Sequence, residues 1–481
     1  MNFSMIVYVL AWVLQIEGIS MVLPLICALI YREPTALTLF LVGGCSWMVG
    51  KLLSLRKPKK IAFYAREGFV AVAGCWLVLS VVGALPFYLS GRIPSFVDAL
   101  FEIVSGFTTT GSSILSDVEA LGKGLIFWRS FSHWMGGMGV LVLVLTVLPL
   151  GGGYNMMIMK AESPGPAVSK MVPRVADTAK ALYKIYFVMT VMAILAFLLS
   201  GMPLFDALCI GFGTAGTGGF AIRNSGMADY SMLSQFLITV FMILFGVNFN
   251  VFYLLQQRKL REAWQCEEMR AYFLIIAAST IFLAFSNLSI CGGQFLYSLH
   301  HSFFTVGSII TTTGFGTLDF TLWSQPAQMV LLFLMFSGAC AGSTGGGIKV
   351  SRLLIMIKEV GKELHVLIHP EAVKHIRLEG KSLEHSVVRS VNCYLIMYCL
   401  IYLISVFIIS FDGFDFITNF SAVVATFNNI GPGLGQVGPC SNFDAYSVLS
   451  KLVLIFDMLA GRLEILPMLI LFSPKMWRKT V

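Results

Sequence analysis

The chain has 481 residues, of which 57% are hydrophobic and 12% charged, and carries a formal charge of +8. Soluble globular chains carry about 25% charged residues, so this balance excludes an ordinary water-soluble enzyme or binding domain and marks an integral membrane protein. The positive charge does not mark a nucleic-acid binder, because 26 of the 33 Lys and Arg sit in five segments, 51–66, 160–184, 258–270, 349–389 and 475–479, that alternate with apolar spans. That is the positive-inside pattern, and it predicts that these segments and both termini face the cytoplasm.

In chain order, two spans are predicted first, at 5–30 and 36–55. The run from Ile6 to Ile30 is too long for a signal-peptide core and lacks a small-residue cleavage site, so it reads as a retained span. Four pairs follow: 68–90 with 128–150, 182–201 with 232–256, 272–290 with 326–357, and 390–411 with 446–472. Within each pair lies a segment too short to cross a bilayer: Phe96 to Thr110, Leu204 to Thr217, Leu296 to Thr313 and Phe414 to Asn429.

These short segments repeat without gaps. DALFEIVSGFTTTG at 98–111 stands against DALCIGFGTAGTGG at 206–219, HSFFTVGSIITTTG at 301–314 and TNFSAVVATFNNIG at 418–431, with the last glycine in register throughout. Such repetition points to one structural unit used four times. The predicted fold is an all-α membrane protein with four span–pore-helix–span repeats around a central pore plus an N-terminal span pair, giving ten transmembrane helices and four re-entrant ones. The predicted units are 1–60, 61–155, 156–260, 261–360 and 361–481.

Non-helical backbone at membrane depth leaves amide groups unpaired unless protein or a water-filled cavity covers them. A polar, glycine-containing string after a half-helix meets that condition if its carbonyls line a pore. Four such strings make rings of carbonyl oxygens able to replace an ion's hydration shell, at the negative ends of four half-helices. The predicted filter is Thr109, Thr110 and Gly111; Thr217, Gly218 and Gly219; Thr312, Thr313 and Gly314; and Asn429, Ile430 and Gly431, with the threonines supplying extended backbone.

Two further intramembrane features need a role. The string Gly342, Ser343, Thr344, Gly345, Gly346 and Gly347 interrupts a predicted span, and so many glycines cannot form a regular helix. It imitates a phosphate loop, but Ile348 displaces Lys349 from the required position and no strand precedes it, so it predicts a broken helix below the filter. Arg462 lies near the middle of the last span, where a charge normally faces a cavity or partner. It is placed to hold that loop by hydrogen bonds to carbonyls or to raise a barrier that shapes flux, or else to pair with Glu464 or Asp457.

The strings GFTTTGSS at 106–113, TTTGFGT at 311–317, GACAGSTGGGIKVSR at 338–352, FNNIGPGLG at 427–435 and MLAGRLEILP at 458–467 resemble the Trk/Ktr/HKT superfamily of potassium transporters over essentially the whole chain. The extra N-terminal pair is similar to the TrkH and TrkG branch. The resemblance implies K⁺ as the transported ion, no bound cofactor, an intramembrane gate formed by 342–347 with Lys349 and Arg462, a homodimer surrounded by membrane lipid, and a cytosolic nucleotide-binding regulatory partner resembling TrkA. It also implies a bacterial inner-membrane location.

Ion-coupled symport of K⁺ with H⁺ or Na⁺ is the competing reading, and Glu102, Asp457, Glu464 and His133 are its candidate titrating groups. An enzyme would need a clustered acid, base or metal constellation. The ten cysteines form no C-x-x-C pair, and His365 and His369, though spaced i, i+4, lack an evident third ligand.

Overall fold

The computed structural model describes residues 2–56, 58, 65–139 and 175–474. The distal part of the 128–150 span and most of the basic segment at 160–184 lie outside these residues. The described chain is mostly helical and includes a two-stranded hairpin in which Arg377–Leu378 pairs with Lys381–Ser382 across a turn at Glu379 and Gly380. Both turn residues have positive φ, the geometry that matches hairpin twist.

Among the described residues, six helices are long and apolar enough to cross a membrane: Phe3–Ile30, Thr35–Ser54, Glu67–Leu89, Lys180–Leu199, Glu267–Ser286 and His385–Asp412. The chain is a multi-pass membrane protein. Its outer surface carries bare aliphatic side chains such as Leu199 and Leu296, whereas the threonines of the repeated strings are fully buried at the centre. This arrangement suits a lipid surround, where the apolar exterior needs no covering.

Three predicted spans are broken. The 232–256 span, expected to be continuous, divides into Met232–Phe245 and Phe249–Gln256 with a 90° bend. The Asn248 side chain caps the second half by accepting from the Asn250 amide at 2.9 Å. The backbone groups freed at the bend are bonded to the 338–349 segment: the Gly246 carbonyl accepts from Cys340, and the Phe249 amide donates to Gly342. The bend therefore answers to a partner loop, which helical periodicity cannot reveal. The 326–357 span breaks as expected, into Gln325–Ser337 and Val350–Ile368. The last span divides into Val448–Arg462 and Leu466–Leu471 at Glu464 and Ile465, which both have positive φ.

Four short helices fall where the repeat places them: Phe96–Phe107, Leu204–Gly216, Phe295–Ile310 and Phe416–Phe427. Side chains at two of their N-termini accept backbone amides, Ser95 from Asp98 and Asp415 from Thr418, the usual remedy for unpaired first-turn donors. The N-terminal pair packs on the first unit. Glu33, between its two spans, caps the helix Lys123–Gly137 by accepting the Lys123 and Gly124 amides at 2.5 and 3.0 Å.

Candidate functional site

Each short helix ends in the same backbone motif. Thr109, Thr217, Thr312 and Asn429 adopt left-handed φ of 57°, 54°, 57° and 55°. The next residue then donates its amide to the carbonyl five residues back, at 2.8 Å in all four: Thr110 to Ser105, Gly218 to Gly213, Thr313 to Ser308 and Ile430 to Ala425. This is the Schellman helix ending, which favours glycine at the left-handed position. Here three threonines and an asparagine occupy it, and a β-branched residue at positive φ is a strained exception. Such strain persists where the surroundings enforce it and collects at functional sites.

Two residues on, Gly111, Gly219, Gly314 and Gly431 again have positive φ, at 86°, 75°, 86° and 105°. The strings are therefore not extended as predicted. They alternate between positive and ordinary φ, and the outer threonine hydroxyls of the two Thr-Thr-Thr strings pair with each other. Thr108 bonds to Thr110, and Thr311 to Thr313, each at 2.7 Å.

The four strings close on one another. A Cβ on Gly111 would collide with the Gly218 carbonyl, one on Gly219 with Thr313, one on Gly314 with Ile430, and one on Gly431 would lie 2.8 Å from the Thr110 carbonyl. Each glycine thus abuts the residue before the corresponding glycine of the next unit, and the fourth unit returns to the first. The Ser112 hydroxyl, donating to the Gly431 carbonyl at 2.8 Å, fastens that closing contact. Of the predicted filter residues, Thr110, Gly111, Gly218, Gly219, Thr313, Gly314, Ile430 and Gly431 meet in these contacts, and the left-handed Thr109, Thr217, Thr312 and Asn429 directly precede them in sequence.

The loop lies against the ring. The Gly346 amide donates to the Thr312 hydroxyl at 2.6 Å. A Cβ on Gly346 would strike the Asn428 carbonyl, and one on Gly345 would approach the Thr311 carbonyl at 2.9 Å. The buried Lys349 ammonium donates to the Gly345 carbonyl. Arg462 donates to Thr344 at 2.9 Å, and to Gly136 and Gly137 at 2.5 and 2.7 Å. These carbonyl bonds are the contacts that a loop-holding role would use, while Glu464 pairs with Arg352.

The remaining candidates are mostly committed. Glu102 pairs with buried Arg129 at 2.5 Å and accepts from Ser113 and the Ile114 amide. His133 bridges two units: its Nε2 accepts the Phe220 amide, so Nδ1 carries the proton donated to the Gly106 carbonyl at 2.7 Å. The His365 and His369 rings lie 5.1 Å apart, and no group of three metal-ligating side chains occurs among the described residues.

Sequence reasoning missed the carbonyls of Gly136 and Gly137, and also Glu268, which bonds the segment around the loop. Backbone acceptors leave no sequence signal. Glu268 is signalled only as a carboxylate at the edge of an apolar run.

The sequence matches the family described as TrkH, cation transport protein, over residues 40–479. It is 37% identical to the Trk system potassium uptake protein TrkH of Salmonella typhimurium, covering all of both chains. It is 33% identical to the Trk system potassium uptake protein TrkG of Escherichia coli, over 98% of each. Its structure is similar to the crystal structure of the potassium transporter TrkH from Vibrio parahaemolyticus, with a TM-score of 0.88 and 33% identity, covering 99% of this chain and 100% of that one. These likenesses extend over the full length and set the chain among transport proteins rather than enzymes: it belongs to the TrkH cation transport family.

Proposed function

We propose that the chain takes up K⁺ across the bacterial inner membrane through the ring formed by its four repeated strings. The observation that carries this reading is the closed contact of Gly111, Gly219, Gly314 and Gly431 with the preceding carbonyl of the next unit. Alternating φ, open to glycine, lets successive carbonyls face one way, and a ring of such oxygens replaces an ion's hydration shell. The names of the related potassium uptake proteins support K⁺ as the ion.

In this reading ten spans and four half-membrane helices surround the pore, divided into the units 1–60, 61–155, 156–260, 261–360 and 361–481, with both termini cytoplasmic. Residues 342–347, held by Lys349 and Arg462, are the barrier below the filter. A homodimer and a cytosolic regulatory subunit resembling TrkA complete the assembly. The driving force is the membrane potential, about 2.3 kcal/mol per 100 mV for a unit charge.

One observation favours the second reading, coupled symport with H⁺ or Na⁺. Asp457 is fully buried; its Oδ1 accepts from Ser405 at 2.8 Å, while Oδ2 has no hydrogen-bond partner among the described residues. Flux in liposomes separates the two. A reversal potential that follows the K⁺ gradient alone supports the pore, whereas one that moves with an imposed proton or Na⁺ gradient supports coupling.

A further inference from the structure

We infer that Glu268 is a positioning residue that holds the 342–347 loop in its blocking place, an inference that rests on the proposed role of that loop as a barrier. Glu268 opens the helix Glu267–Ser286 and is only 3% exposed. One of its oxygens, Oε1, accepts the Ala341 amide at 2.7 Å and the Ser351 amide at 3.0 Å. Those two amides flank the glycine string on either side. A single carboxylate therefore ties together both ends of the break, at the points where the chain leaves one helical segment and enters the next. Both amides would otherwise be buried donors needing a partner, and a single carboxylate oxygen accepts them both.

The neighbours of Glu268 carry the connection outward. Glu267 pairs with Lys358 on the helix that follows the loop. The same ammonium donates to the Arg377 carbonyl of the hairpin at 2.8 Å. The Cys266 thiol donates to Glu379 at the hairpin turn, at 3.1 Å. Three consecutive residues thus hold, in order, the cytoplasmic hairpin, the helix after the loop, and the loop itself. A displacement of the hairpin reaches the loop through less than one turn of helix.

The test uses the full chain in lipid nanodiscs for hydrogen exchange and in liposomes for Rb⁺ flux. In Glu268→Ala, the amides of segment 338–351 exchange about tenfold faster than in the wild type, and basal flux rises by about tenfold, equivalent to about 1.4 kcal/mol. The Rb⁺ over Na⁺ preference stays unchanged, because the ring is untouched. Glu268→Gln, which keeps one acceptor oxygen without the charge, gives a smaller rise in both. It also serves as the readout if the alanine variant does not fold. Wild-type exchange across 338–351 in a folded variant overturns the clamp. Faster exchange with wild-type flux instead overturns the loop's role as a barrier, and the control of flux by Glu268 falls with it.

Discussion

Arg462 and Thr344 lie 118 residues apart in sequence, yet a guanidinium N–H of one donates to the carbonyl of the other at 2.9 Å. The same side chain donates to the Gly136 and Gly137 carbonyls, so one cation joins the last span, the interrupted span and the helix Lys123–Gly137. Arg462→Gln removes this three-way tie. Basal Rb⁺ flux in liposomes should rise by about tenfold, and Arg462→Lys should not restore it, because an ammonium lacks the planar fork. Deleting Gly345 to Gly347 should raise flux in the same way; a folded deletion variant with wild-type flux would remove the loop from any role in closing the pore.

The ring predicts graded sensitivity among its glycines. Gly111→Ser drives a side chain into the Gly218 carbonyl, while the same change at Gly431 starts 2.8 Å from Thr110. Both also strain a backbone at positive φ. Competition flux of Rb⁺ against Na⁺ should show Gly111→Ser losing roughly tenfold in preference, about 1.4 kcal/mol, and Gly431→Ser losing less. Equal preference in both variants and the wild type would refute the filter assignment.

Glu102 and Arg129 form a buried pair whose guanidinium also donates to Ala221 and covers the Phe220 ring. Removing one partner strands the other charge, at a cost of about 3–5 kcal/mol, whereas replacing both with apolar residues can be nearly neutral. Arg129→Leu should therefore lower thermal stability in detergent sharply, and adding Glu102→Met should recover most of the loss. No recovery in the double variant would show that the two residues act separately.

Asp415 caps the fourth short helix from outside the spans. The Thr418 hydroxyl, bonded to its carboxylate at 2.5 Å, holds its pKa below the ordinary value of 3.8. A depressed carboxylate contributes stability that is fully present above the unfolded-state pKa and is lost as pH falls through the lower folded one. Asp415→Ala should cost about 1 kcal/mol at neutral pH, and that difference from the wild type should shrink only below about pH 4. A difference that fades between pH 7 and pH 5 would contradict the assignment.

The common glycine column in the sequence marked the ring, since only glycine recurs where backbone meets backbone. The left-handed turn at Thr109, Thr217, Thr312 and Asn429 was not legible, because threonine is a poor residue for that conformation and its identity argued for extended chain. Arg462 stood out because an isolated charge inside an apolar span demands a partner. The bend after Phe245 did not, since its cause lies in the carbonyls and amides of 338–349. Glu268 was hidden for a related reason: a carboxylate at a span's edge looks like an anchor in water until its acceptors' partners are known.

The glycine contacts run in one direction around the ring, from the first unit to the second, third, fourth and back. All four positions belong to a single polypeptide, so a point substitution alters one quarter of the circle and leaves three quarters unchanged. A pore assembled from four identical subunits has no such freedom, because every change there is made four times at once. The lone asparagine at position 429 among three threonines is such a quarter-step, and under the proposed pore reading selectivity is adjustable in increments that a symmetric tetramer could reach only by mixing subunits.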